Sequence, residues 1–199
     1  MSEKSKLPGI ICLIYFSLAA IIAIISVILL PKFSKPDAYQ GFAGDFSLLN
    51  QAGKSQKLSS LPGRYRLVFF GFTNCPSICP TALSEMSQIY DRLSAAQSKQ
   101  LSLVFVSVDP ERDQPSIIKQ YLANFAAPIT GFTGSPAEIE AVTKQYGIYA
   151  EKGHIMADGN YMVNHSTLVY LVDKKGQYIA NFAFNETVEM MVNKLQEYL

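Results

Sequence analysis

Arg66-Leu67-Val68-Phe69-Phe70-Gly71-Phe72 runs straight into Thr73-Asn74-Cys75-Pro76-Ser77-Ile78-Cys79-Pro80. The first half is a short apolar run of strand-forming residues, the kind buried on both faces of a sheet. The second half carries two cysteines four residues apart, among prolines, where a helix opens. Leu83, Met86, Ile89, Tyr90 and Leu93 then recur at spacings of three and four, a helical stripe. Residues 101–108, Leu-Ser-Leu-Val-Phe-Val-Ser-Val, form a second buried run. Strand, helix, strand in that order is a βαβ unit, which implies two parallel strands in one sheet.

Working outward, a helix opening at Pro115 would carry Ile118, Tyr121, Leu122 and Phe125. Ser135-Pro136-Ala137-Glu138 reads as another helix start, with a Ser cap, Pro at the first position and Glu closing the box, and Gly147 ends that helix. Residues 167–172 and 177–182 predict a hairpin around Asp173-Lys174-Lys175-Gly176, and residues 187–199 a last helix. The expected fold is a compact α/β sandwich with a mixed sheet, one domain over residues 45–199.

The chain has 199 residues, 49% hydrophobic and 17% charged, with formal net charge +1. Seventeen basic against sixteen acidic residues leave no excess to neutralise a phosphate backbone, so nucleic acid is not an expected partner. The apolar fraction excludes wholesale disorder, and three Cys are too few for a disulfide-built miniprotein. Part of the charge deficit sits at the front: residues 10–30 are 21 residues without a charge, interrupted only by Ser17 and Ser26. That is about 31 Å of helix, matching a hydrocarbon core of roughly 30 Å.

A cleaved signal peptide would have a shorter apolar region ending at a small-x-small site, which this run lacks. Gly9-Ile10-Ile11 before Cys12 is not a lipobox context, and Cys12 reads as a small apolar residue in the membrane. The expected organisation is a stub at 1–9, a single transmembrane anchor at 10–30 and a tether at 31–44. Lysines flank the anchor on both sides, so the positive-inside rule is nearly silent; a short stub usually stays cytoplasmic.

Four-residue spacing on a helical turn separates Cys75 and Cys79 by about 6 Å between Cα atoms, inside the roughly 4.4–6.8 Å a disulfide tolerates. The same spacing lets both sulfurs hold one metal ion. Pro80 predicts that the main helix begins there, with Cys79 at its N-cap and Cys75 in the turn before. The positive helix end then favours the thiolate, both nucleophile and soft-metal ligand. A disulfide closing so small a loop removes little chain entropy. Redox or metal chemistry is the better account, and spacing does not choose between them.

Soft thiolates select Cu(I), and imidazole tolerates it. The chain has two histidines. His165, in Val163-Asn164-His165-Ser166, precedes a buried strand whose end can face the Cys turn; His154 reads as an exposed loop residue. The dinuclear copper centre of cytochrome oxidase subunit II also uses Cys-x3-Cys, with His four and Met seven residues after the second Cys. Met86 falls at the Met position, but Leu83 stands at the His position and cannot ligate.

Gly71-Phe72-Thr73-Asn74-Cys75-Pro76-Ser77-Ile78-Cys79-Pro80, Val106-Ser107-Val108-Asp109-Pro110-Glu111-Arg112-Asp113, Gly131-Phe132-Thr133-Gly134 and Asn164-His165-Ser166 together resemble the Sco/SenC family. Its members are copper-binding, thioredoxin-like proteins that assist cytochrome c oxidase assembly. The resemblance implies a thioredoxin-like fold, with Cys75 and Cys79 as thiolate ligands, His165 as imidazole ligand, and copper as the bound ion, as Cu(I) with Cu(II) left open. Asp109 and Asp113 match the family's acidic loop and are not expected ligands. Asn74 stands where many members have His, and Asn164 where many have Asp; the second departure touches the residue beside His165.

The resemblance implies a membrane-tethered copper chaperone. Its partners would be the copper-bearing oxidase subunit and an upstream copper donor, and the domain would lie on the periplasmic side of a bacterial cytoplasmic membrane. The absence of room for a transit peptide favours bacteria. The rival reading is a thiol–disulfide oxidoreductase in which Cys75 and Cys79 cycle between dithiol and disulfide. A thioredoxin-like peroxidase is a remote third, and Asp109 and Arg112 are loop-capping residues under all three.

Overall fold

The computed structural model describes residues 42–157, 159–183 and 186–199. The expected stub and anchor, and the tether up to residue 41, lie outside the described residues; among these, no helix is long and apolar enough to cross a membrane. The end of the tether is held to the domain. Ala43 N donates to Gln145 O at 2.8 Å, and Tyr146 Oη donates to Gly44 O at 2.9 Å.

Strands β1 (Ser47–Asn50) and β2 (Ser55–Lys57) form an N-terminal hairpin. Then come β3 (Tyr65–Gly71), helix α1 (Ile78–Arg92), the one-turn helix α2 (Ala95–Ser98) and β4 (Leu101–Ser107). Helix α3 (Pro115–Leu122), β5 (Ile129–Thr133) and α4 (Pro136–Gln145) follow. A second hairpin, β6 (Ala150–Lys152) and β7 (Val163–His165), stands apart from the main sheet. Strands β8 (Val169–Asp173) and β9 (Tyr178–Phe182) and helix α5 (Val188–Gln196) complete the chain.

The main sheet has the order β2-β1-β5-β4-β3-β8-β9. Its centre, β5-β4-β3, is parallel, as a βαβ reading requires, and both edges are antiparallel. β3 and β4 are buried along nearly their whole length, which explains their predominantly apolar sequences. Arg66 is the exception inside β3. It is fully buried, and its guanidinium donates to the main-chain carbonyls of Leu58, Leu61 and Gly63, which stabilise the charge that burial disfavours.

The helices cover both faces. Phe69 pairs with Phe105, and Phe105 with Gly131, so the three share one face. A Cβ on Gly131 would sit 2.3 Å from Ile118 Cγ2 and 2.7 Å from Leu122 Cδ1, which puts α3 hard against that face. A Cβ on Gly71 would meet Cys79 Sγ at 2.9 Å, so α1 covers the same side. Phe70 and Phe132 point the other way, packing Phe70 against Tyr146 at 5.2 Å and Phe132 against Phe46 at 5.5 Å.

Helix ends follow local chemistry. α4 opens with a reciprocal Ser135–Glu138 capping box and closes before Gly147, whose φ of 60° lies in the left-handed region. α3 stops at Leu122, short of Phe125, which packs on Tyr121 at 5.5 Å from the turn beyond. α1 departs from expectation. It begins at Ile78 with Ser77 as N-cap, so Cys79 and Pro80 lie inside the first turn. First-turn N–H groups lack intrahelical acceptors in any case, so Pro is tolerated there and does not mark the start.

Because α3 sits hard against position 131, which has no side chain, Gly131→Ala should overpack this contact. A loss of about 1–3 kcal/mol in folding stability is expected, read as a lowered urea midpoint; an unchanged midpoint would show that α3 can shift freely.

Candidate metal centre

Strand direction brings the site together. β3 and β4 are parallel and antiparallel to β8, and Phe69 pairs with Val169. The chain leaving β3, the chain leaving β4 and the chain entering β8 therefore emerge at one end of the sheet. These segments carry Cys75 and Cys79, the 109–113 loop, and His165.

Asp113 joins the first two. It is fully buried and accepts hydrogen bonds from Thr73 N at 2.9 Å, Thr73 Oγ1 at 2.6 Å and Ser107 Oγ at 2.6 Å. Burial pushes its carboxyl up, and the donors from Ser107 and Thr73 oppose that shift. The turn entering the cysteines is thus tied to the end of β4.

A second set of contacts joins the 109–113 loop to the hairpin carrying His165. Asp109 accepts from Arg112 Nε at 2.5 Å and from Tyr161 Oη at 2.7 Å, and Arg112 Nη1 donates to Tyr161 O at 3.0 Å. The Tyr161 ring lies 3.6 Å from the Arg112 guanidinium carbon and 4.1 Å from Lys152 Nζ. Lys152 in turn pairs with Glu111 at 2.6 Å. Tyr161 had no signal in the sequence beyond being an aromatic in a loop. Asp109 and Arg112, read there as loop-capping residues, also fasten a second chain segment.

Cys79 and His165 meet. Cys79 Sγ lies 3.6 Å from His165 Nε2, and the Cys79 side chain is fully buried. His165 Nδ1 is 2.8 Å from Ser166 O. A carbonyl oxygen only accepts, so Nδ1 carries the proton, and in the neutral ring the lone pair sits on Nε2, facing the sulfur. Burial lowers the His165 pKa from its ordinary value, opposed by the Ser166 carbonyl, and so favours that neutral ring. Phe72 and Phe69 close around it at 5.7 Å and 6.2 Å between ring centroids.

Cys75 is partly exposed, and its sulfur accepts from Cys79 N at 3.4 Å. Both thiols are free. Among the described residues, no three His, Cys, Asp or Glu side chains are already drawn into one metal-holding cluster. The ready contact is the Cys79–His165 pair, with Cys75 on the preceding turn.

The expected helix-end activation of Cys79 is overturned. Burial pushes its thiol well above the ordinary range, and the backbone hydrogen bond from Phe72 only partly opposes it. A helix terminus contributes a modest, partly screened field, whereas removing a thiolate from water costs more. Asn74, Asn164 and His154 are exposed. Asn164 neighbours His165 on β7, so the two side chains point to opposite faces of the strand, and the ring's second nitrogen is already held by Ser166 O.

This geometry meets independent likeness. The SCO1/SenC family profile matches residues 34–199. The chain belongs to that family. The SCO2-like protein of Rickettsia felis is 36% identical over 154 residues, spanning 77% of this chain and 75% of the relative. Among solved structures, Bradyrhizobium japonicum ScoI with copper bound is 39% identical, with a TM-score of 0.71, covering 79% of this chain and 99% of that one. BsSco, described as having a disulfide switch and as a member of the Sco family of cytochrome c oxidase assembly proteins, is 29% identical. Its TM-score is 0.61, with 77% of this Sco-family chain and 90% of that one covered.

Asp113→Asn tests the joint between the strands. An amide nitrogen would face donors that now meet a carboxylate, so a loss of about 1–3 kcal/mol is expected in chemical denaturation. An Asp113→Asn midpoint equal to wild type would show that the joint holds nothing.

Proposed function

We propose that this Sco-family chain is a membrane-tethered copper chaperone in which Cys75, Cys79 and His165 hold one Cu(I). The observation that carries the reading is the Nε2 lone pair of His165 directed at Cys79 Sγ, 3.6 Å away. Two sulfurs and a neutral imidazole are a donor set suited to soft Cu(I), so the residues present fit the ion. Copper bound to the related ScoI supports the same assignment.

Cys75 is the exposed member of the set and Cys79 the buried one. Cys75 is therefore the ligand an incoming partner thiolate reaches first, and release proceeds by ligand exchange from that side. The client in this reading is the copper-bearing subunit of cytochrome c oxidase, in keeping with the assembly role described for the family of BsSco. An upstream donor supplies the ion. The uncharged run at residues 10–30 supplies the tether, with the domain on the outer side of a bacterial cytoplasmic membrane.

A thiol–disulfide oxidoreductase is the second reading, favoured by the free Cys75–Cys79 pair and by the disulfide switch of BsSco. Burial of Cys79 as a thiol leaves little thiolate there to attack, which slows exchange. Reduction of an oxidase subunit's disulfide that survives His165→Ala and copper chelation would favour this second reading.

Competition of the reduced protein with a Cu(I) chelator should give one bound equivalent, and His165→Ala should weaken it by about tenfold or more. The metal must displace the proton that burial holds on Cys79, while the lowered His165 pKa leaves Nε2 free of proton competition above about pH 6.5. Affinity should therefore rise by about tenfold or more per pH unit between roughly pH 6.5 and 8.5. Absence of stoichiometric binding, or an affinity indifferent to both His165 and pH, contradicts the ligand set.

A further inference from the structure

His165 belongs to a two-stranded sheet, β6 with β7, which shares no ladder with the main sheet among the described residues. Main-chain pairing with the core therefore does not fix where this hairpin stands relative to Cys79; side chains must. The hairpin is also not packed flush on its neighbours. A cleft of about 200 Å³ is lined by Ala150, Lys152 and Val163 of the hairpin, by Ile139 and Thr143 of α4, and by Pro110. A metal ligand carried on such an element needs a specific tie to the rest of the site.

Arg112 makes contacts on both sides of that junction. Towards the hairpin, its guanidinium carbon lies over the Tyr161 ring, 3.6 Å from the centroid, and Nη1 donates to Tyr161 O at 3.0 Å. Towards the cysteine turn, the same carbon lies 5.8 Å from the Phe72 centroid, and the Phe72 ring stands edge-on to that of His165 at 5.7 Å. Nε donates to one carboxylate oxygen of Asp109, whose other oxygen accepts from Tyr161 Oη. One guanidinium thus joins a wall of the imidazole to the segment that leads into its strand. A planar cation can stack on a ring while its edge nitrogens donate to two acceptors, which the point charge of an ammonium does not reproduce.

We propose that Arg112 is a positioning residue for metal binding: by bridging Tyr161 and Phe72 it holds the hairpin so that His165 Nε2 faces Cys79 Sγ. The proposal rests on the ligand set above and adds a residue which that set does not contain. Arg112 gives no donor atom to the ion and acts only through His165. Cys75 and Cys79 sit on α1 and the turn before it, so loosening the bridge costs the site its imidazole and leaves the sulfurs in place.

A double-mutant cycle with His165→Ala, run on the reduced full chain, separates this role from a general loss of stability. Arg112→Lys keeps the charge and loses the stacked, forked contact. In the wild-type background it should weaken Cu(I) binding, measured by chelator competition, about tenfold. In the His165→Ala background the same substitution should change affinity by less than about twofold, because the ligand it positions is gone. Tyr161→Phe keeps the ring and loses only the hydroxyl bond to Asp109. It should show the same dependence on His165 with a smaller loss, and it decides the matter if Arg112→Lys does not fold. An equal loss in both backgrounds would show that the bridge serves the fold or the cysteines, and would overturn the proposal. Wild-type affinity in the variants would overturn it as well, leaving the ligand set intact. If wild type binds no Cu(I), or His165→Ala binds it as tightly as wild type, the ligand set fails and this role fails with it.

Discussion

The buried carboxylate of Asp113 takes three hydrogen bonds, two from Thr73 and one from Ser107, at the common end of β3 and β4. Without it the two strands would still pair, since their ladder runs the full length of both. The turn that leaves β3, however, would have no fixed departure angle. Cys75 and Cys79 lie on that turn and on the helix it feeds, so their position depends on Thr73 being held. Ser107 also donates nothing elsewhere: its hydroxyl gives its proton to Asp113 and its oxygen accepts from Asp109 N at 3.0 Å. The same small cluster therefore fixes the start of the 109–113 loop, which reaches Tyr161 and the hairpin of His165.

The site follows from this anchoring together with burial. Enclosure by Phe69 and Phe72 favours the neutral His165 ring, and the Ser166 carbonyl selects its tautomer. Enclosure also keeps Cys79 protonated until something stronger than water competes for the sulfur. A soft cation is such a competitor, and a proton leaves when it binds. The unusual feature of the candidate centre is thus a thiol and an imidazole made a poor acid and a poor base by the same apolar surroundings. Cys75, nearer the solvent, is the open side.

Much of the fold was legible because its elements carry strong local signals. Largely apolar runs marked β3 and β4, the stripe from Leu83 to Leu93 marked α1, and Ser135–Glu138 marked the start of α4 to the residue. The first residue of α1 was misread because Pro80 is compatible with any first-turn position. The β1–β2 and β6–β7 hairpins were missed. Their strands are three or four residues long and mostly exposed, so neither period nor hydrophobicity rises above the loops around them. The cysteines and His165 stood out by residue type. Thr73, Ser107 and Tyr161 did not, because their roles arise from hydrogen bonds to Asp113 and Asp109, which lie 40 residues from Thr73 and 52 from Tyr161. The sign of the electrostatics at Cys79 was also hidden, since a helix end is visible in sequence and depth of burial is not.

The proposed site requires Cys75, Cys79 and His165 to converge on one ion; Cys79 Sγ already lies against His165 Nε2, while Cys75 Sγ lies against the Cys79 main-chain N–H. Copper-edge X-ray absorption of the reduced protein loaded with one equivalent of Cu(I) reads that convergence directly. The account predicts two sulfur scatterers and one nitrogen scatterer with the outer-shell signature of an imidazole, the latter lost in His165→Ala. A shell of sulfur alone, or an imidazole signature that persists in His165→Ala, would contradict it.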